Sequence, residues 1–283
     1  MSIAEPLAAI GDNTIDIYTG RDEYSFVGGN AVNVAVQLTL LGRPVRYFGA
    51  VGPDCAGQRV RRALAGLSVD VAGLVVLPGR TSTSRIRVDQ AGVRHFEYED
   101  FAVCDDYIPD AAALESAAEC GAVHLGLLPD AERVRAYLAG RGVLVSQDCG
   151  VTRRPRRLVH LDIAFCSQEA AGGPPDKLAT EAIAAGAGLA VVTCGADGSV
   201  AFDGRRWWRA AAVPTNVVDT TGAGDSYAAG FLHARLAGAD VDQAMRAAST
   251  HAAEACTHLG GWPQEALPPP GSTRRPPGSS VHK

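Results

Sequence analysis

Short apolar runs alternate with amphipathic ones along most of the chain. The run "LAAIG" reads as a strand, "NAVNVAVQLTLLG" as a helix closed by Gly42, "VRYFGAVG" as a second strand and "QRVRRALAG" as a second helix. The alternation continues through "AAALESAAECG" and "AVHLG", "AERVRAYLAGRG" and "VLVSQD", then "DIAFCS", "DKLATEAIAAGAG" and "LAVVT". Apolar residues three and four positions apart with a glycine stop mark the helices; short β-branched runs mark the strands. Repeated βα units of this kind predict an α/β fold with a mainly parallel sheet and helices on both faces. The run "VPTNVVD", ending at Asp219, also has strand character, and Trp207 and Trp208 fall in another expected strand as packing residues.

Two regions break this rhythm. Residues 82–100, "STSRIRVDQAGVRHFEYED", alternate apolar and polar around "DQAG", the pattern of an antiparallel hairpin. With "DIYTGRDEYSF" it can form a small sheet set apart from the main one. The tail from Ala266, "ALPPPGSTRRPPGSSVHK", is rich in Pro, Gly and Ser and is expected to be disordered.

Composition narrows the class of partner. A chain of 283 residues, 47% hydrophobic, has ample core for one large or two modest domains. Its formal net charge of −5 gives no electrostatic reason to expect nucleic acid or an anionic membrane surface. Arginine supplies nearly all the positive charge, since the only lysines are Lys177 and Lys283. The seven cysteines are scattered and include no C-x-x-C pair, which argues against a disulfide framework or a zinc knuckle. The opening "MSIAEPLAAIGDN" lacks the charged and apolar regions of a signal peptide, and no apolar run has the length of a membrane span. A cytoplasmic protein is expected.

Candidate chemistry gathers at two places. In "DTTGAGDSYAAGFLHARLAG" a Gly-rich turn leads into helical spacing that ends at Gly238. Glycines 222 and 224 allow a sharp turn, and the N–H groups of Ala223, Gly224 and Asp225 would then point outward at a helix N-terminus, where anions bind. Asp225 brings negative charge to such a site. It suits a general base kept ionised by the helix N-terminus and accepting a hydroxyl proton in phosphoryl transfer; alternatively it only caps the helix. No G-x-x-x-x-G-K-[ST] P-loop, protein-kinase signature or G-x-G-x-x-G after the first strand is present. At the other end, "GDNTIDIY" brings Asp12, Asn13 and Asp16 to the end of a strand, and "VGGNAVNVAV" brings Gly28, Gly29, Asn30 and Asn33 to the start of a helix. Asn30 and Asn33 share one helix face. Carboxylates and carboxamides there suit several sugar hydroxyls at once; the alternative is that Asn30 caps the helix and Asp16 closes a turn.

These stretches, in this order, resemble the two signatures of the ribokinase-like (PfkB) carbohydrate kinases: "GGNAVNVAVQLTLLGRPVRYFGAVGPDCAGQRVRRAL" and "DTTGAGDSYAAGFL". Between them "VVTCGADGSVAF" resembles that family's nucleotide-binding strand-turn-strand. The resemblance covers about residues 7–262. It implies a ribokinase-like three-layer sandwich with a mainly parallel central sheet and a small β-sheet lid from about residues 13–27 and 82–100. The tail, 266–283, stands outside it.

The resemblance also implies roles. Asp225 would be the base, with Gly222, Ala223 and Gly224 as the anion hole. Asp16, Gly29, Asn30 and Asn33 would hold the sugar, and Thr193, Gly195 and Gly198 would border the nucleotide. ATP would be the donor, with Mg2+ on its phosphates and Glu169 in the metal network; Asp219 and Thr221 would sit at a monovalent-cation site of the kind that takes K+. Cys166 stands where the family's N-x-x-E motif has its Asn, and Asp148 and Arg153 fall where relatives carry an Asp followed by a basic residue.

Within the family, "GDNTIDIY", "SFVGGNAVNVAV" and "HLGGWPQ" are most similar to fructoselysine 6-kinases, which implies fructoselysine as acceptor. Glu97, Glu99 or Arg85 would then meet its amino-acid portion. Fructose, ribose, a keto-deoxy sugar acid or a nucleoside are alternative acceptors, and a non-catalytic sugar or nucleotide sensor is the alternative of another class. The open edges of the lid allow a homodimer. His95, His124 and His251 have no motif around them and are expected in core or surface roles.

Overall fold

The computed structural model describes residues 5–20, 22–88, 94–150 and 157–271. The "DQAG" turn, Arg153 and residues 272–283 of the tail lie outside them. The main sheet has nine strands among the described residues. Seven are parallel: β1 (Leu7–Ile10), β4 (Val45–Val51), β5 (Asp70–Val76), β8 (Ala122–Leu125), β9 (Leu144–Asp148), β10 (Leu161–Ser167) and β11 (Ala187–Thr193). They are completed by the antiparallel β12 (Ser199–Phe202) and β13 (Trp207–Ala210), in the order β13-β12-β11-β10-β9-β8-β1-β4-β5. β1 and β8 are buried along their whole lengths, as strands covered on both faces must be.

Helices α1 (Asn30–Leu40), α2 (Cys55–Gly66), α7 (Ala223–Leu236) and α8 (Val241–Ala255) cover one face, where Val36, Leu64, Phe231 and Met245 join one apolar cluster. Helices α3 (Ala111–Ala118), α4 (Ala131–Ala139) and α6 (Pro175–Ala184) cover the other, through Leu114, Leu138 and Ala179. A short α5 (Gln168–Ala171) follows β10. Each fully buried Leu or Phe in such a layer contributes roughly 1.5–3 kcal/mol. Phe231 and Leu232 therefore fix α7 firmly against the sheet. Among the described residues no helix is long and apolar enough to cross a membrane.

The hairpin and "DIYTGRDEYSF" do form a separate sheet. It comprises β2 (Thr14–Thr19), β3 (Tyr24–Gly28), β6 (Thr83–Val88) and β7 (Arg94–Asp100), in the order β3-β2-β6-β7. β2 pairs antiparallel with β3 and parallel with β6, and β6 pairs antiparallel with β7.

Three local expectations change. "VPTNVVD" is not a strand: Val213, Val217 and Val218 are exposed, β13 already ends the sheet, and Val218 N–H instead donates to Cys256 O. Helix α7 starts at Ala223, so Asp225 lies inside its first turn rather than before it. The chain after Ala266 is ordered as far as described, because Leu267 exchanges two backbone hydrogen bonds with Ser25 (2.7 and 3.2 Å).

Candidate active site

All parallel strands of the main sheet end at one edge, so the residues that follow them meet the N-termini of the returning helices there. Helix α1 begins after Gly29 (φ 101°), which as glycine has no side chain to cap the helix. Asp12, just past β1, does the capping from a distance. Its carboxylate accepts from Asn30 N–H at 2.7 Å, Ala31 N–H at 3.5 Å and Leu127 N–H at 2.8 Å. A Cβ on Gly29 would stand 2.5 Å from Asn13 Cα, so only glycine lets the two segments meet.

Because Asp12 satisfies the helix end, the Asn30 side chain is released from capping. Its Nδ2 donates to Asp225 Oδ1 at 2.6 Å and to Asp148 Oδ2 at 2.7 Å. Asn33, one turn on, donates from Nδ2 to Asp225 Oδ2 at 2.6 Å. The shared helix face thus grips both oxygens of one carboxylate. Asn33 Oδ1, by contrast, is buried without a partner. His124, on β8, reaches Asn30 Oδ1 with Nε2 at 3.3 Å and Ser146 Oγ with Nδ1 at 3.0 Å. His124 has no motif around it in sequence because its partners in space lie on α1 and β9.

The carboxylates are held against their preference. Burial first, then the charge of Asp148, pushes Asp225 up to about 8, with the amides of Asn33 and Asn30 opposing. The expectation that the helix N-terminus keeps Asp225 ionised at neutral pH is therefore corrected: desolvation and a like charge outweigh the dipole. Burial likewise raises Asp148 to about 6 and Asp16 to about 6. Burial takes His124 down to about 3, so its imidazole is neutral.

The turn before α7 offers donors. Gly222 adopts φ 75°, and a Cβ there would stand 2.6 Å from Gly261 Cα. Ala223 N–H donates to Thr220 O at 3.1 Å, so it is not free as expected. The N–H groups of Gly224 and Asp225 have no partner among the described residues, and a Cβ on Gly224 would meet open space. An anion fits there, as at any uncapped helix start.

The other candidates separate. Asp16, on β2, accepts from Thr14 Oγ1 and is buried beside Gly28, where a Cβ would stand 2.0 Å from its Oδ2. Thr193 ends β11, its Oγ1 donating to Cys166 O at 3.4 Å, and a tight turn follows with Gly195 at φ 55° and Gly198 at φ 90°. Ser199 and Tyr227 bond at 2.8 Å and tie β12 to α7. Glu169 is exposed on α5, and no group of three or more His, Cys, Asp or Glu that could hold a metal occurs among the described residues. Asp219 is fully buried and accepts from Tyr18 Oη at 2.9 Å, Thr221 N–H at 3.0 Å and Gly260 N–H at 2.9 Å, while the Thr221 hydroxyl lies 2.9 Å from Tyr18 Oη and can donate to it. Asn13 turns inward, with Nδ2 on Ala50 O at 2.7 Å. A hollow of about 490 Å³ beside β5, lined by Phe48, Val75 and Tyr107 among others, contains none of these residues.

Residues 16–265 match the pfkB family of carbohydrate kinases. The chain is 34% identical over 260 residues to "Fructoselysine 6-kinase" of Shigella flexneri and to that of Escherichia coli (strain K12), covering 90% of this chain and 99% of each relative. Its fold is similar to that of Arabidopsis thaliana ribokinase complexed with ribose and ATP, with a TM-score of 0.82 and 22% identity over 91% of this chain and 94% of the other. With the signature turn, the paired asparagines and the ribokinase-like sheet now placed, the chain belongs to the pfkB family and is a carbohydrate kinase.

Proposed function

We propose that this kinase transfers the γ-phosphoryl group of ATP to the primary 6-hydroxyl of fructoselysine, with Asp225 as the base. The carrying observation is the Asp225 carboxylate, gripped by Asn30 and Asn33 beside the free N–H groups of Gly224 and Asp225. Proton acceptor and anion donors thus sit within one helical turn. As the acceptor oxygen bonds to phosphorus and the bond to ADP breaks, the hydroxyl proton passes to Asp225. The two N–H groups stabilise the charge on the moving phosphoryl. A base raised to about 8 has the proton affinity to take part in that transfer near working pH. Mg2+, bound chiefly through the ATP phosphates, would neutralise their charge, with Glu169 as the carboxylate of this chain nearest in sequence to the family's metal motif.

The acceptor assignment draws on the relatives' names and on the lid. Asp16, Ser84 and Glu99 lie in register across β2, β6 and β7 and so share one face of the small sheet. Arg85 pairs with Glu23 at 3.5 Å and Glu97 with Arg87 at 2.8 Å. Glu99 has no ion pair among the described residues, and its charge helps raise Asp16. Glu99 is thus the lid residue suited to the secondary ammonium of fructoselysine. The exposed Phe96 and Tyr98 on the same edge strand would support a homodimer.

The test is a coupled ATP-consumption assay with Mg2+ against fructoselysine, fructose, ribose, a keto-deoxy sugar acid and adenosine. Turnover of fructoselysine above the rest, lowered about 10²–10⁴-fold in kcat by Asp225→Asn and reduced in kcat/KM by Glu99→Gln, is expected. Preference for another member refutes the acceptor; retained turnover in Asp225→Asn refutes the base.

A further inference from the structure

We propose that His124 is a positioning residue that sets the Asn30 amide and, through it, the proton affinity of Asp225. The inference rests on Asp225 being the base. Asn30 Nδ2 serves Asp225 and Asp148 at once, which requires the amide to be turned with both hydrogens toward the two carboxylates. Its oxygen then faces His124 Nε2 at 3.3 Å, so that nitrogen must carry the hydrogen. The other ring nitrogen is then an acceptor, and Ser146 Oγ at 3.0 Å supplies the donor. A single tautomer satisfies the line from Ser146 through His124 to Asn30.

The surroundings keep the ring in that form. His124 is 1% exposed on β8, and the Phe165 ring on β10 packs near it, tilted by 51° at 6.1 Å between ring centroids. Among the described residues, the charged groups bonded to the cluster are acids: Asp12 after β1, Asp148 at the end of β9 and Asp225 on α7. A rotated Asn30 amide would turn its oxygen toward two carboxylates and remove one donor from each. Loss of a donor to the charged form raises a carboxyl pKa.

The variants His124→Phe and His124→Gln separate positioning from packing. Phe keeps a ring of similar size without the donor; Gln places an N–H close to where Nε2 stood. The first readout needs no substrate: 13C NMR titration of the side-chain carboxyls, with Asp225→Asn to identify the Asp225 signal. In His124→Phe the Asp225 midpoint should move to higher pH and in His124→Gln it should stay near that of the unsubstituted protein.

The second readout is steady-state kinetics with Mg-ATP and fructoselysine. In His124→Phe kcat should fall by up to about 100-fold, the scale of a small misplacement of a reacting group, with KM for ATP unchanged and largely restored kcat in His124→Gln. Equal midpoints in all three proteins, or equal losses in Phe and Gln, would overturn the proposal while leaving Asp225 as base. Undiminished turnover in Asp225→Asn would overturn both.

Discussion

Asp225 is costly to the fold in its charged form, and that cost makes it useful. Its carboxyl is raised from 3.8 to about 8 by burial, and then by Asp148. The neutral form is the one the folded chain accommodates, so its stabilising contribution is full below about pH 4 and is lost as pH rises through about 8. Asp225→Asn stays neutral throughout. Its amide fits because the Asn33 side chain can flip, turning its unpartnered Oδ1 to accept from the new N–H. The variant should lose about 10²–10⁴-fold in kcat and melt above the wild type at pH 8, by about 2–4 °C for each kcal/mol relieved; at pH 4 the two should melt together. Calorimetry at both pH values checks this. A base must be deprotonated to act, so kcat/KM should rise with pH toward a midpoint near that of Asp225. Asp148→Asn removes the neighbouring charge and should move this limb to lower pH; an unmoved limb would mean that Asp148 does not tune the base.

The start of α7 does its work through backbone rather than side chains. Gly222→Ala would put a Cβ into the left-handed region and 2.6 Å from Gly261 Cα. The turn must shift, at a cost of order 1–3 kcal/mol, carrying the Gly224 and Asp225 donors away from the phosphoryl. Expected are a lower melting temperature and a kcat reduced by about 10²–10³-fold, the effect of removing one such donor. A variant that melts lower but keeps kcat would show that these donors do not face the phosphoryl. This turn was legible in the sequence because every part of it is local: two glycines, an acid and a helix in succession. Asn30 and Asn33 were legible as a shared face for the same reason. Their target was not, since Asp225 lies 195 and 192 residues away in sequence from them. His124 reads from sequence as a core or surface histidine, and Asp12 as a strand end, because their partners come from across the sheet. "VPTNVVD" misled in the opposite direction: its β-branched run has strand character, but no strand is left for it to join.

The small sheet is joined to the body by polar contacts near its edge as much as by apolar ones. Tyr18 Oη bonds Asp219, Arg59 bonds Ser25 through Oγ at 2.7 Å and O at 2.6 Å, and Leu267 pairs with Ser25. The decisive contact is Gln264. Its Oε1 accepts from Val27 N–H and its Nε2 donates to Val27 O, both at 2.9 Å, so one side chain pairs with edge strand β3 as a neighbouring strand would. Val27 is 1% exposed and lies two residues before Gly29, the start of the loop that aims Asn30 at the base. The "HLGGWPQ" stretch that marks the chain as similar to fructoselysine 6-kinases thereby acquires a physical role. Its Gln secures edge strand β3 of the small sheet, and Trp262, 1% exposed, anchors the segment in the core. Gln264→Ala leaves a buried N–H and C=O of Val27 unpaired, a loss of about 1–3 kcal/mol for a buried group. It should lower the melting temperature by several degrees and raise KM for the acceptor more than KM for ATP, because in the proposed function β3 and α1 shape the acceptor end while the turn between β11 and β12 borders the nucleotide. Gln264→Glu would keep an acceptor for Val27 N–H but lose the donor, so its melting point should fall between those of Ala and wild type. Unequal KM effects in that order, read from initial rates with each substrate varied in turn, would tie the C-terminal segment to acceptor binding; equal rises in both KM values would reduce Gln264 to a general stabiliser.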